Sequence, residues 1–384
     1  MIIKRNQIES DAGLKVAMLE LASHTQYFLT APLEDPLAAF AETAAMLADN
    51  KIQPFQEKVY GQAEAREKNL AFRAAAYAKH GLDAAAPVTY VDGRPPSGAE
   101  FGGVSVWGLS PRTADAPSIA TLEVPGLAPG RCWTGSGYRM AYFPRLRGAD
   151  AAGKLADCPT CQARRMFANA VEGLNAHGFS YNQTVRTWIY MARILDWYGE
   201  FNKVRTEVHV RQGMVRDGVN SRFPASTGIQ GKHAPGEECF MDLLAVDGRS
   251  AVGIEPILGS ERQPPAFTYG SGFSRGMTLT MEGRKIVLIS GTASTNARGK
   301  TIHVDDPEAQ CLETLLSIGA ILKGQGGSLD NICTSTLFCK HPKILNAYRN
   351  VQRLLGLHEF PAIPMLADVC RPDWLVEIEA IALI

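Results

Sequence analysis

The chain has no excess charge of either sign: 39 basic residues balance 39 acidic ones in 384 residues. Without a dominant basic stripe, neither nucleic acid nor an anionic membrane surface is an expected partner. A small molecule or another protein is expected instead. No run reaches 18 consecutive apolar residues, which argues against a membrane-spanning helix. Met1 to Gly13 mixes charged and polar residues and lacks the apolar stretch of a secretory signal, so a cytoplasmic location is expected. There is no GxGxxG opening a helix after a strand, no Walker sequence and no HExxH. Catalysis without a metal, nucleotide or other cofactor is therefore expected. Cysteine is sparse, with eight residues at irregular spacing. In a reducing compartment they read as thiols rather than bridges. Cys158-Pro-Thr-Cys161 is a lone CxxC with no second pair at metal spacing. It reads as a structural or solvent-facing pair, with a redox couple and a metal site as the lesser alternatives. Its place ahead of an apolar helix also permits a thiol of lowered pKa.

What is present is a repeated order of elements. In the last third, Arg284 to Ser290 reads as a strand, and Pro307 to Lys323 as a helix with Leu312, Leu315, Leu316, Gly319 and Leu322 at helical spacing. Asn331 to Cys339 reads as a strand, and a second helix runs from about Pro342 through Leu355. Two further strands, Met365 to Val369 and Trp374 to Ile384, close the unit. The middle third repeats this order with strands at Tyr138 to Phe143, Gln183 to Met191, Pro224 to Gln230 and Cys239 to Val246. Its helices are Gln162 to Ala176 and Leu195 to Val210. The first third shows it more faintly. Gln26 to Thr30, Ile52 to Tyr60, Val88 to Val91 and Val104 to Leu109 are its strands. Asp35 caps a helix with Leu37, Phe40, Ala44 and Leu47 inward, and Gln62 to His80 forms a second helix. Leu47, Leu174 and Leu322 hold equivalent places, 127 and 148 residues apart. The expected organisation is a degenerate unit over 1–115, a second unit over 116–250, a Pro/Gly-rich linker over 251–272 and a C-terminal unit over 273–384 that carries the site. Each unit covers one sheet face with two helices. The other faces must be buried, and three sheets closing on one another would do it.

The last unit resembles the YjgF/RidA superfamily. The resemblance rests on Ser290-Gly291 after an apolar strand, on Gln310-x-x-Glu313, and on Val376-Glu377-Ile378-Glu379-Ala380-Ile381-Ala382 at the C-terminus. In the middle unit Arg186-Thr187-Trp188, Phe201-Asn202 and Pro224-Ala225-Ser226 are similar. The resemblance implies an α+β fold of the chorismate-mutase-like (bacillus) type, with three tandem RidA-like β-α-β-α-β units forming a pseudo-trimer. Free-standing members are homotrimers that hydrolyse enamines and imines with an arginine and a water-holding glutamate. The glutamate's motif position is Glu377 here. The arginine's falls near Pro364 and Ser226, and neither is arginine. Single-chain chorismatases are the more similar relatives. They carry a cysteine with a glutamate seven residues on, here Cys370 and Glu377, and the phrase Ser290-Gly291-Thr292-Ala293-Ser294 and His303 also look chorismatase-like. That resemblance implies hydrolysis of the enolpyruvyl ether of chorismate, or of a similar small carboxylic acid, by general acid–base catalysis. The cysteine implies the branch that yields a hydroxybenzoate. A RidA-type imine or enamine hydrolase and a non-catalytic small-molecule-binding protein are the alternatives. A fused trimer needs no partner chain, so a monomer is expected.

The residues suit this chemistry. Glu377 sits in an apolar frame, and a desolvated carboxyl stays protonated and can deliver a proton. The other reading is a strand carboxylate paired with Arg371 or facing solvent. Cys370, just past the preceding strand, reads as a nucleophile or as a polarisable wall. A carboxylate substrate calls for arginine forks; Arg275, Arg186, Arg205 and Arg371 are the candidates, each otherwise an ordinary ion-pair residue. Gly291 and Thr292 follow a buried strand, where backbone N–H groups can meet an oxyanion, or simply turn the chain. His303 is placed on a strand as a possible proton donor, or as an ordinary core or surface histidine. Trp188, Trp197 and Tyr198 read as packing.

Overall fold

A computed structural model describes residues 7–10, 13–215, 221–231 and 234–384. Three six-stranded sheets follow one another along the chain. The first comprises β1 (Gln7–Glu9), β2 (Lys15–Glu20), β3 (His24–Ala31), β4 (Gln53–Gly61), β5 (Thr89–Asp92) and β6 (Phe101–Pro111), with helices α1 (Pro36–Asp49) and α2 (Arg66–Lys79). The second comprises β7 (Ser118–Leu122), β8 (Gly130–Gly135), β9 (Tyr138–Arg147), β10 (Thr184–Met191), β11 (Ala225–Gln230) and β12 (Cys239–Asp247), with α3 (Pro159–Ala176) and α4 (Ile194–Arg211). The third comprises β13 (Gly253–Ile257), β14 (Gly276–Met281), β15 (Arg284–Thr292), β16 (Ile332–Cys339), β17 (Ile363–Leu366) and β18 (Val376–Leu383), with α5 (Pro307–Gly324) and α6 (Lys343–Leu354).

The strand orders are β1-β2-β3-β6-β4-β5, β7-β8-β9-β12-β10-β11 and β13-β14-β15-β18-β16-β17, which is one order three times. In each sheet the last two strands are the parallel pair. The helices cover the outer faces and build three separate cores. Phe40 and Leu47 belong to the first, Phe167 and Leu174 to the second, Leu315 and Leu322 to the third. The inner faces meet in a fourth core drawn from all three sheets, including Phe28, Trp107, Trp133, Tyr142, Trp188, Leu288 and Ile381. Each sheet is thus buried on both faces, as layer packing demands. The equivalent leucines Leu47, Leu174 and Leu322 are all fully buried. Asp35 caps α1 as expected, accepting from Leu37 N at 3.0 Å.

Several expectations are corrected. Residues 253–257, placed in a linker, are a strand paired with β14. Leu37, in the first turn of α1, is 58% exposed, whereas Phe40, Ala44 and Leu47 are buried. Leu312 and Leu316 lie at the solvent side of α5, whose buried stripe is instead Cys311, Leu315, Ile318 and Leu322. His303 is in a turn with a left-handed φ of 58°, outside any named strand. Cys158 and Cys161 are joined in a disulfide at the start of α3, where the Cys158 sulfur also accepts Cys161 N. With Cys158 at the N-cap and Cys161 in the first turn, the two Cα atoms are 5.0 Å apart, close enough to bond.

Candidate active site

The Glu377 side chain is placed by strand alternation. Glu377 and Glu379 lie on the same face of β18, which looks inward. Glu377 pairs in register with Phe338, the fifth pair beyond the bulge in β16. The corresponding fifth pairs are Tyr190–Phe240 in the second sheet and Tyr60–Gly103 in the first. The position that holds a carboxyl in the third unit is therefore Phe240 and Gly103 in the others. The chain keeps this acid once.

The cleft around Glu377 lies where the second unit meets the third. From the second come Tyr198 and Arg205 on α4 and Ser226 and Gly228 on β11. From the third come Gln263, Tyr269, Phe273, Arg275, Gly291, Cys370, Arg371 and Trp374. Strand contacts lock the seam. Ala225 bridges Ser274 and Ile229 bridges Val369, while Gln230 N donates to Asp368 O at 3.0 Å. This docking sets Cys370 beside the α4 residues. The room inside is small, about 40 Å³.

Glu377 is 3% exposed. Burial, then the nearby Glu379 carboxylate, push its pKa up to about 8, against the opposing pull of Arg186 and Arg371. At neutral pH it is a carboxylic acid. Its Oε2 is buried without a hydrogen-bond partner, as are Trp374 Nε1 and Gln263 Oε1 on the same walls. Its Oε1 lies against Gly291, where a Cβ would collide with it. That contact is the reason for glycine here. Cys370 is held as a thiol: burial and then the Glu377 charge raise its pKa well above the ordinary value. A thiolate nucleophile does not fit that setting; a polarisable wall does.

Three of the four expected arginines converge. Arg275 donates to Pro264 O at 3.0 Å and 2.9 Å and to the Tyr269 hydroxyl at 2.7 Å. Burial lowers its pKa. Arg371 is anchored to Gly299 O and lies 4.7 Å over the Trp374 ring. Arg205 is 2% exposed, bonds Asn202 and sits 5.7 Å from the Phe273 ring. With Glu377 protonated, the cleft carries excess positive charge.

Arg186 is the exception. It points into the central core and pairs with Glu379 at 2.7 Å, so it does not line the cleft. Glu379 is correspondingly an interior group. The expected backbone oxyanion site is also altered. Gly291 N donates to Thr227 Oγ1 at 3.0 Å, and the Thr292 hydroxyl turns to Ser290 O at 2.9 Å. Gly291 lines the cleft; Thr292 does not. His303 is likewise absent from its walls. Tyr198, read as packing, lines the cleft, and so do Tyr269 and Gln263 from the supposed linker. The signal in the sequence was the run of polar residues before Pro264-Pro265 and the aromatic pair Phe267 and Tyr269 after them. No group of three or more His, Cys, Asp or Glu fit to hold a metal occurs among the described residues.

Residues 271–384 match the family model Endoribonuclease L-PSP. A crystal structure of a chorismatase, refined to 1.08 Å, superposes on 94% of this chain and 100% of its own with a TM-score of 0.63 at 20% identity. The chain has the chorismatase fold. A 3-hydroxybenzoate synthase from Streptomyces hygroscopicus is 26% identical over 232 residues, 53% of this chain. That alignment spans 65% of the relative's length, just under two thirds. The YjgF/RidA reading thus holds for the C-terminal unit by sequence, and the chorismatase likeness holds across nearly the whole chain by fold.

Proposed function

We propose that the chain is a fused three-unit enzyme that hydrolyses the enolpyruvyl ether of chorismate, or of a closely similar small carboxylic acid. The observation that carries this reading is Glu377, a carboxylic acid at neutral pH facing a seam walled by Arg205, Arg275 and Arg371. Arginine forks suit the substrate's carboxylates. The Glu377 carboxyl then donates its proton to the vinyl methylene carbon, whose π electrons form the new C–H bond. The adjacent carbon becomes an oxocarbenium ion. The Glu377 carboxylate takes a proton from the water that attacks it, and the hemiketal collapses to pyruvate and the ring alcohol. Glu377 ends protonated, as it began.

Cys370 acts as a thiol at the wall of the same pocket. The similar synthase is named for 3-hydroxybenzoate, which supports the hydroxybenzoate branch: the ring alcohol then loses its ring hydroxyl as water while the hydrogen on the neighbouring oxygen-bearing carbon leaves as a proton, and the C–H electrons complete the aromatic ring. The dihydrodiol branch differs by that one water in the products, so product analysis separates the two. Arg371 lines the cleft over the Trp374 ring and donates to Gly299 O, and we propose that it leaves Gly299 O to grip the substrate. Both walls belong to one polypeptide, so the working form is the monomer.

The test is to offer the purified protein chorismate and, separately, 2-aminoacrylate-type imines. Pyruvate with a ring product from chorismate supports the proposal. Ammonium from imines without turnover of chorismate overturns it in favour of a RidA-type hydrolase. Turnover of neither overturns it in favour of a binding protein or another substrate.

A further inference from the structure

Beneath the cleft a run of hydrogen bonds leads into the central core. One nitrogen of Arg186, on β10 of the second unit, donates to Glu379 Oε2 at 2.7 Å and to Thr227 Oγ1 at 2.6 Å. The same Thr227 oxygen accepts Gly291 N at 3.0 Å. Gly291 is the residue packed against the Glu377 carboxyl. The ion pair thus spans the same seam as the cleft and ends under its acid. Counting from the bulges, Arg186 corresponds to Gln56 and Thr334, and Glu379 corresponds to Asp242 and Ser105. The opposed charges therefore occur together only where the second unit meets the third.

We infer that Arg186, Glu379 and Thr227 are positioning residues for the Glu377 site: Arg186 fixes the Glu379 carboxylate on the face of β18 that it shares with Glu377, and Thr227 fixes the Gly291 backbone on which the Glu377 carboxyl rests. This inference rests on the reading of Glu377 as the acid. Glu379 is two residues from Glu377 on one face, so its negative charge opposes a second one there. Arg186 would favour the Glu377 carboxylate, but its charge is engaged by Glu379. Other groups also face these three. In the core Lys58 donates to the Tyr190 hydroxyl at 3.1 Å, with Tyr60 and Asp242 nearby. Around Glu377 itself stand Arg371, Cys370, Tyr198, Arg205, Tyr269 and Arg275. All of these are unchanged in the variants below, so shifts between variants report the pair.

The experiment is carbon-13 NMR of the full chain carrying glutamate labelled at the carboxyl carbon, with the Glu377 signal assigned by its loss in Glu377→Gln. Glu379→Gln removes the repelling charge and frees Arg186, so the Glu377 midpoint falls by one pH unit or more, a tenfold change in proton affinity. Arg186→Gln raises it. A pair with only a structural role lowers stability in both variants and does not move the midpoint in opposite directions. A midpoint that stays put in Glu379→Gln, or rises, overturns the inference. At Thr227, serine keeps the hydroxyl and valine keeps the shape. Serine is expected to retain kcat, and valine to lower it tenfold or more; equal values overturn the Thr227 role. Should Arg186→Gln fail to fold, Glu379→Gln and the Thr227 variants decide. The NMR readout needs no turnover, so it stands even if chorismate is not the substrate. Turnover of chorismate with unmoved midpoints overturns this inference alone.

Discussion

If Glu377 is a buried acid, stability depends on pH in a direction opposite to that of ordinary paired carboxylates. Its folded pKa is about 8 against an ordinary 4.5. Between those values the folded state keeps the proton and the unfolded chain has lost it. Stability therefore falls as pH rises through that window, at about 1.4 kcal/mol per pH unit. Between pH 5 and 7.5 the loss is about 3 kcal/mol, after allowing for the partial protonation of the unfolded chain at pH 5. Glu377→Gln has the shape of the protonated acid and cannot ionise, so it lacks this slope. Urea unfolding of both proteins at pH 5, 6, 7 and 7.5 isolates the term, since every other titrating group is common to both. The wild type is expected to lose about 3 kcal/mol more than the variant across the range. Parallel curves, within about 0.5 kcal/mol, would refute the claim that Glu377 is held protonated.

Three further outcomes follow from the same geometry. Gly291→Ala places a methyl on the Glu377 carboxyl and is expected to cut kcat roughly a hundredfold, with circular dichroism and native mass unchanged. Arg371→Gln removes a cation proposed to grip the substrate. It should raise KM roughly tenfold or more, the worth of one charge-assisted hydrogen bond, in steady-state kinetics. Arg186→Met leaves Glu379 buried without its partner and should cost about 3–5 kcal/mol in urea unfolding, while Arg186→Met with Glu379→Leu recovers most of it.

Much of this was legible in the chain. The helix periodicity, the Asp35 cap and the spacing of Leu47, Leu174 and Leu322 located the three helical layers. The phrase around Glu377 is a strand, β18, that turns Glu377 and Glu379 inward. The leading hairpin of each sheet was missed, as in β13 and β14. Its strands are short: β14 alternates Met277, Leu279 and Met281 with Thr278 and Thr280, but over only six residues beside the Pro/Gly-rich stretch that read as a linker. Pro256 within β13 read as a breaker, yet β13 is an edge strand, where proline is tolerated. Arg186 was misplaced because sequence shows that a charge sits among Val185, Trp188 and Ile189 but not which way it faces. Its partner is Glu379, 193 residues away. Tyr198 and Tyr269 were missed for a related reason: a cleft formed at a seam between units has no contiguous motif.

The most direct test of the Glu377 assignment is pyruvate release from chorismate by the wild type and by Glu377→Gln at pH 7. A wild type that releases pyruvate and a folded variant slowed by two orders of magnitude or more is the predicted result, the span of a general acid's contribution. A variant that releases pyruvate at the wild-type rate would contradict it.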